Sequence, residues 1–119
     1  FTPGIPDKKL VYQLTRSYYP PLLRAGVEIY EYTPGFLHAK SFVSDDKLAV
    51  VGTVNLDYRS LYLHFECGAC LYDCPCIGQI RQDVMDLIPL CHKVSLDDCR
   101  HGLVGGLINA VLRLFAPLM

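Results

Sequence analysis

Several features that would place a chain in a specialised class are missing from this sequence. Its 119 residues contain no internal repeat, no low-complexity tract and no acidic tail. Lys and Arg number 11 against 12 Asp and Glu, and they form no basic cluster. Because binding to a nucleic-acid backbone relies on clustered Lys and Arg, this distribution argues against nucleic acid as a partner.

The composition is that of a folded protein. Apolar residues make up 51% of the chain and charged residues 19%, so the sequence can bury a core and disorder is not expected. The length predicts a single domain over residues 1–119. The chain opens at Phe1 rather than Met and shows no signal peptide, from which we expect a piece of a longer protein.

Cysteine is plentiful, and it leaves alternatives open. A zinc site is one interpretation of the C-x2-C-x3-C-x-C run, but zinc ligands usually come as two separated pairs. We favour reduced cysteines that act as small core residues of an intracellular protein, and we predict no metal. A disulfide between Cys91 and Cys99 remains compatible with the sequence. The run itself consists of Cys67, Cys70, Cys74 and Cys76.

Helical and strand periods alternate along the chain, which predicts a layered α/β domain. The predicted strands are residues 27–32, one strand on each side of a turn at 44–46, and residues 65–72. The predicted helices are one capped by Asp7 and running to Tyr19, one with Pro75 at its first position and running to Leu90, and a short one opened by a capping box at residues 95–98.

The last stretch, residues 102–119, is predicted to form an apolar C-terminal helix. Its glycines and its polar residues, Asn109 and Arg113, argue against a membrane span. Two interpretations stay open. The helix packs on the domain surface, or it lies in the membrane interface with Arg113 near the lipid headgroups.

The most informative stretch is residues 38–55, HAKSFVSDDKLAVVGTVN. Side chains two apart in a strand share a face, so His38 and Lys40 project together, as do Thr53 and Asn55 if the second strand continues that far. If the two strands are neighbours, an imidazole, an ammonium, a hydroxyl and a carboxamide converge. Such a set suits a phosphate diester, because the amine and amide hold its oxygens while the imidazole attacks or transfers a proton.

The same stretch resembles the HxK(x4)D(x6)GSxN signature of the phospholipase D superfamily. The residues that match it are His38, Lys40, Asp45, Gly52 and Asn55, and Thr53 replaces the usual Ser with another hydroxyl. The resemblance implies a phospholipase D-like layered α/β/α domain with a central mixed sheet.

The flanking sequence resembles the C-terminal half of bacterial cardiolipin synthases of the phospholipase D type. The resemblance rests on the entry YEYTPGFLHAK, the exit GTVNLDYRSL and the Phe-Glu pair that ends in Glu66. His64 departs from it, since Asn usually stands there. The implied reaction is a phosphatidyl transfer in which two phosphatidylglycerols give cardiolipin and glycerol through a phosphohistidine intermediate. It implies no metal and no cofactor, and a place at the cytoplasmic face of the bacterial cell membrane.

The resemblance also implies residue roles. His38 is expected to be the catalytic acid and base, while Lys40 and Asn55 bind the phosphate. Thr53 is expected to add a hydrogen bond to the substrate, and Glu66 to orient a histidine, although a solvent-facing carboxylate is the alternative for Glu66. Asp45 belongs to the motif and is expected to brace the turn. We expect no catalytic role for the remaining histidines, His64, His92 and His101.

A complete site of this superfamily needs two such motifs, and this chain has one. The resemblance therefore implies either a missing N-terminal half or a second copy of the chain as partner. Two other functions compete with lipid synthesis. One is a single-motif, homodimeric phosphodiesterase or endonuclease, and the other is a catalytically silent, membrane-associated fragment.

Overall fold

A computed structural model describes residues 1–100 and 103–116 and confirms the α/β class. His101 therefore lies outside the described residues. The strands are β1 (Thr2–Pro3), β2 (Tyr30–Tyr32), β3 (Ser41–Ser44), β4 (Leu48–Gly52), β5 (Gly68–Tyr72) and β6 (Cys91–Lys93). The α-helices are α1 (Lys9–Ser17), α2 (Tyr19–Arg24), α3 (Tyr58–Tyr62), α4 (Cys76–Leu87) and α5 (Leu103–Leu114).

The chain divides into two compact units. The first, called the core unit below, comprises Phe1–Leu37 and the described residues from Cys91 onward. The second, called the motif unit, is His38–Leu90. Each has its own three-stranded sheet, so the described residues form two sheets where one central mixed sheet was expected. That the two units act as a single phospholipase D-like domain stays a prediction.

The core unit contains a mixed sheet with the order β1-β2-β6. Strand β1 is parallel to β2, and β6 is antiparallel to it. Its apolar cluster consists of Tyr19, Ile29, Val94 and Cys99. The predicted capping box is present, because the Ser95 amide donates to Asp98 Oδ2 at 2.8 Å and the Asp98 amide reaches Ser95 Oγ at 3.4 Å. It opens a single 3₁₀ turn, Asp97–Cys99.

The motif unit contains an antiparallel sheet with the order β3-β4-β5. The predicted turn between β3 and β4 is present, with Asp45 and Asp46 at φ 52° and 55° and the Lys47 amide bonded to the Ser44 carbonyl at 3.1 Å. Positive φ at both central residues is typical of a type I′ hairpin turn, which Asp tolerates better than most residues. This turn fixes the register of the two strands that carry the motif.

Several element boundaries differ from the prediction. Lys8, not Asp7, precedes α1, and no side chain caps that helix. Pro75 occupies the N-cap position of α4 rather than its first turn. The predicted strand over residues 27–32 is reduced to β2, and that over residues 65–72 to β5, because only those residues find backbone partners in a neighbouring strand.

The described part of the expected C-terminal helix is α5, while Gly102 and residues 117–119 lie outside the described residues. Arg113 of this helix binds α1: its Nε donates to Ser17 Oγ at 3.1 Å, and its guanidinium lies 4.7 Å from the centroid of the Tyr18 ring. These contacts agree with a helix that packs on the domain surface. Within residues 1–100 and 103–116, no helix is long and apolar enough to cross a membrane.

The cysteines are less buried than expected. All six lie within the described residues and are free thiols, including Cys91 and Cys99. Cys99 is buried as predicted, but Cys67 and Cys70 are exposed. Cys70 lies in β5, the outer strand of the small antiparallel sheet, and Cys67 immediately precedes that strand.

Candidate active site

His38 and Lys40 are in direct contact immediately before β3. Lys40 Nζ lies 2.8 Å from His38 Nδ1 and 3.1 Å from its Nε2, and it donates to the His38 carbonyl at 2.9 Å. An ammonium carries only donor hydrogens, so the ring nitrogen that it contacts must offer a lone pair. The His38 side chain is exposed and Lys40 is half-buried, which leaves the pair open to a ligand. The predicted convergence of imidazole and ammonium is therefore present.

Backbone hydrogen bonds continue the sheet past its regular strands at this end. The Gly52 amide donates to the Lys40 carbonyl at 3.1 Å, and the Thr53 amide donates to the Cys67 carbonyl at 2.9 Å. Regular strand pairing starts at Ser41 in β3 and stops at Gly52 in β4. These two bonds extend the alignment to the residue before β3, the residue after β4 and the residue before β5. Lys40, Thr53 and Cys67 are thus aligned at one end of the sheet, because the ladder extends one residue beyond each strand.

Thr53 and Glu66 are joined by a hydrogen bond across this end of the sheet. The Thr53 hydroxyl donates to Glu66 Oε2, and its oxygen accepts from the Cys67 amide at 3.0 Å. The Cys67 carbonyl lies 3.2 Å from the same hydroxyl. Glu66 itself precedes β5 and is half-buried, so the alternative of a carboxylate that faces only solvent does not describe it.

A second hydroxyl, that of Ser60, lies near the Glu66 carboxylate, and sequence reasoning missed it. Hydrogen bonds from Thr53 and then from Ser60 hold the pKa of the Glu66 carboxyl below its usual range, and the charges of His64 and Lys40 act in the same direction. Ser60 is buried at the centre of α3, where its amide donates to the N-cap carboxylate of Asp57 at 2.7 Å. The sequence signal for this position was Asp57, an N-cap residue three positions before Ser60, which predicts a helix that begins there.

Glycine is required at position 52 of the motif because the backbones of β4 and β5 approach closely there. A Cβ on Gly52 would lie 2.3 Å from the Cys67 carbonyl oxygen and 2.5 Å from the Gly68 Cα. Gly52 and Gly68 are paired across β4 and β5, so neither chain presents a side chain where they meet. This approach is what brings Glu66 within reach of Thr53.

The other two motif residues lie apart from these pairs. Asp45 sits in the hairpin turn, at the opposite end of β3 from Lys40, and its Oδ2 accepts from Ser44 Oγ at 3.0 Å. Five residues of extended chain correspond to about 16 Å, which supports the bracing role for Asp45 rather than contact with substrate. Asn55 is exposed on the segment between β4 and α3, two residues after Thr53.

A cleft of about 380 Å³ lies beside the motif, between the hairpin and α4. His38 and Lys40 line its mouth, and Asp83 of α4 is a carboxylate in its wall that sequence reasoning did not single out. Its apolar wall consists of Val51, Ile80, Val84 and Leu87. The helical spacing of Ile80, Val84 and Leu87 predicted a helix with one face turned toward the core, and in the structure that helix, α4, contacts β3 and β4.

His64 is bonded to Arg59, which donates to its Nε2 from Nη2 at 2.8 Å and from Nε at 3.2 Å. These bonds join the ring to a side chain of α3, and the absence of a catalytic role for His64 stays a prediction. In the part of the chain that the structure describes, no three His, Cys, Asp or Glu side chains come together as ligands for a metal ion.

Comparison with known proteins places these features in a wider group. Residues 2–88 match the family described as "Cardiolipin synthase, PLD-like domain". A Streptococcus mutans protein described as uncharacterized is 48% identical over 118 residues, which are 98% of this chain and 26% of that protein. Cardiolipin synthase 2 of Bacillus anthracis is 42% identical over a match that covers 98% of this chain and 23% of that protein. The cardiolipin synthase of Geobacillus kaustophilus is 50% identical over a match that covers 71% of this chain and 17% of that protein.

The chain spans about a quarter of the length of these curated relatives. No solved structure matches it.

Proposed function

Because the chain belongs to the cardiolipin synthase, PLD-like domain family, we propose that it supplies one of the two catalytic motifs of a phosphatidyl transferase. The substrates would be two phosphatidylglycerol molecules, and the products cardiolipin and glycerol. The observation that carries the proposal is the contact of His38 with Lys40 at the end of the sheet where Thr53 and Glu66 also meet. No step requires a cofactor, since the exchange replaces one phosphodiester bond by another.

The first half of the reaction would form a covalent intermediate. The imidazole of the second motif attacks the phosphorus of phosphatidylglycerol and forms an N–P bond, while the P–O bond to glycerol breaks. His38 gives its proton to the departing glycerol oxygen. Lys40 and Asn55 stabilise the negative charge on the non-bridging oxygens.

The second half would return the phosphatidyl group to an alcohol. His38 takes the proton from a headgroup hydroxyl of another phosphatidylglycerol, whose oxygen attacks the phosphorus. The N–P bond breaks, and both histidines return to their starting states. His38 is suited to this double role because an imidazole ring can give up a proton in one half of the reaction and take one in the other.

The proposed partners follow from the single motif. The second set of histidine, lysine and asparagine would come from the N-terminal half of a two-motif enzyme, or from a second copy of this chain. The lipid substrate places the protein at a membrane surface, which we propose to be the cytoplasmic face of the bacterial membrane. The even balance of Lys and Arg with Asp and Glu disfavours the nuclease alternative.

A chimera tests the proposal under conditions where the second motif is present. This chain replaces the matching 118 residues of the Bacillus anthracis cardiolipin synthase 2, and the product is incubated with phosphatidylglycerol vesicles. We expect cardiolipin and glycerol in equal amounts by mass spectrometry, and a loss of at least about 10³-fold in His38→Ala.

The matched control is His92→Ala, which removes a histidine of the core unit that is paired with Asp98 and leaves the motif intact. It is expected to retain turnover. Cardiolipin formation that persists in His38→Ala would contradict the proposal. Binding of vesicles without turnover in the unmutated chimera would favour the catalytically silent alternative.

A further inference from the structure

Thr53 is the motif residue whose observed contacts differ most from its expected role. The resemblance implies a hydroxyl that donates to the substrate. A threonine hydroxyl has one hydrogen to donate and two lone pairs to accept with. Here one lone pair is used by the Cys67 amide, and the hydrogen is directed at Glu66 Oε2, with the Cys67 carbonyl as the other nearby acceptor.

A phosphate oxygen is itself an acceptor, so it would have to compete with a carboxylate for that single hydrogen. A phosphodiester oxygen is also ionised, so both acceptors would form charge-assisted bonds. The carboxylate holds the advantage because its bond to Thr53 is already formed within the protein and would have to be broken first. The free lone pair of Thr53 would repel a phosphate oxygen rather than bind it. The expected contact with substrate is therefore unfavourable in this geometry.

A second hydroxyl lies near the Glu66 carboxylate. Thr53 follows β4, whereas Ser60 lies in α3, whose N-terminus is capped by Asp57. Thr53 holds the carboxylate by a direct hydrogen bond, and the Ser60 hydroxyl favours its charged form from the side of α3. The close approach of Gly52 to the Cys67 carbonyl sets the distance between the strands that carry Thr53 and Glu66.

We propose that Thr53 is a positioning residue for Glu66, and that Thr53 does not bind the phosphate. The inference rests on the proposed function, because Glu66 would use its held carboxylate to accept the N–H of a catalytic imidazole. An ionised acceptor held in one orientation fixes the tautomer of the ring that it contacts. The threonine in place of the usual serine keeps the hydroxyl and adds a methyl group that restricts its rotation.

The ionisation of Glu66 can be measured directly in the chain. The sequence has three glutamates, Glu28, Glu31 and Glu66, so ¹³C-labelled glutamate gives few side-chain carboxyl signals to follow against pH. The native Glu66 signal is expected to titrate below the ordinary range of glutamate, because the hydroxyl donors favour the charged form. Glu28, whose pKa is lowered by its bond to Lys93 in the core unit, serves as an internal reference.

Thr53→Val removes the hydroxyl and keeps the shape, and Thr53→Ser keeps the hydroxyl. We expect the Glu66 titration midpoint to rise by about one pH unit in Thr53→Val, and to stay near the native value in Thr53→Ser. Ser60→Ala should raise it by a smaller amount. The matched control is Thr15→Val, which removes a hydroxyl that donates to the Val11 carbonyl in α1 and should leave Glu66 unchanged.

A parallel titration with inorganic phosphate separates the two roles of Thr53. If Thr53 only positions Glu66, the affinity of the chain for phosphate should change by less than about two-fold in Thr53→Val. If Thr53 contacts the phosphate directly, that affinity should fall by about ten-fold. A Glu66 midpoint that stays at its native value in Thr53→Val would overturn the proposal, and so would a midpoint that Thr53→Ser fails to restore. If the midpoint rises as expected but the chimera makes no cardiolipin, the positioning role stands and the proposed function fails.

Discussion

The core unit and the motif unit hold their residues in place by different means. In the core unit, Tyr19, Ile29 and Val94 are buried together, and the buried carboxylate of Glu31 is bonded by Tyr12 at 3.2 Å and approached by Arg16 at 3.7 Å. The motif unit, which the structure describes throughout, buries only Ala49, Ser60 and Ile77. Its order comes from the strand ladder, one glycine pair and hydrogen bonds between exposed or half-buried polar groups.

The difference has a functional meaning. A site for a charged phosphodiester must keep its histidine and lysine within reach of the ligand, so those groups cannot be buried. Backbone hydrogen bonds and close chain approach can fix such groups without covering them. We infer that the motif unit depends on backbone geometry, and the core unit on side-chain packing.

The largest effect on stability is expected at Gly52, where the backbones of β4 and β5 leave no space for a side chain. Gly52→Ala places a methyl group 2.3 Å from the Cys67 carbonyl oxygen, so β4 and β5 must separate at this point. We expect a loss of about 3 kcal/mol in the free energy of unfolding, measured by urea denaturation.

Gly68→Ala provides the matched control, because its Cβ would meet its nearest neighbour, the Val51 carbonyl oxygen, at 3.4 Å. We expect this variant to fold with a much smaller loss. If the two variants were equally stable, the strand spacing would not depend on Gly52, and the contrast between backbone and side-chain order would lose its main support.

A smaller effect is expected from a side chain of the core unit. Arg16→Met removes a cation from the buried Glu31 and a donor from the Asp98 carbonyl, which Arg16 reaches at 3.2 Å. A buried carboxylate with fewer partners is costly, so we expect a loss of about 2 kcal/mol at neutral pH. Adding Glu31→Leu should recover part of that loss, since it removes the carboxylate that was left without its cation. A double variant as unstable as the single one would contradict this explanation.

The smallest effect is expected at an exposed ion pair of the motif unit. Arg81 Nε lies 3.0 Å from Asp46 Oδ1, with both side chains more than half exposed. Solvent screens such pairs, and Ala is a good helix former at a position within α4. Arg81→Ala should change the free energy of unfolding by less than about 0.5 kcal/mol. A loss as large as that of Arg16→Met would show that side-chain charges also stabilise this unit.

Local sequence patterns predicted the parts of the fold that depend on local rules. The family resemblance is confirmed by the match over residues 2–88. The hairpin turn and the capping box at residues 95–98 follow from short-range hydrogen bonding. The contact of His38 with Lys40 is also local, although both residues precede β3 instead of lying in the strand that was predicted to align them. Each involves groups within a few residues of one another, so the sequence carries the whole signal.

Contacts between distant segments were not predictable in the same way. Arg113 binds Ser17 across 96 residues, and no local pattern specifies that pairing. The bond between Thr53 and Glu66 depends on how closely β4 and β5 approach, which is a property of two strands together. The motif alone therefore assigned the Thr53 hydroxyl to the substrate, whereas in the structure this hydroxyl donates to the Glu66 carboxylate.

The most direct test of the account asks which unit binds a phosphodiester. The ¹⁵N-labelled chain is titrated with glycerophosphoglycerol, a soluble diester, and its amide and side-chain signals are followed by NMR. We predict that the signals of His38, Lys40 and Asn55 move together, that those of the core unit stay in place, and that Lys40→Met abolishes the movement. Signals that move only in the core unit, or motif signals that move equally in Lys40→Met, would contradict the assignment of the site to the motif unit.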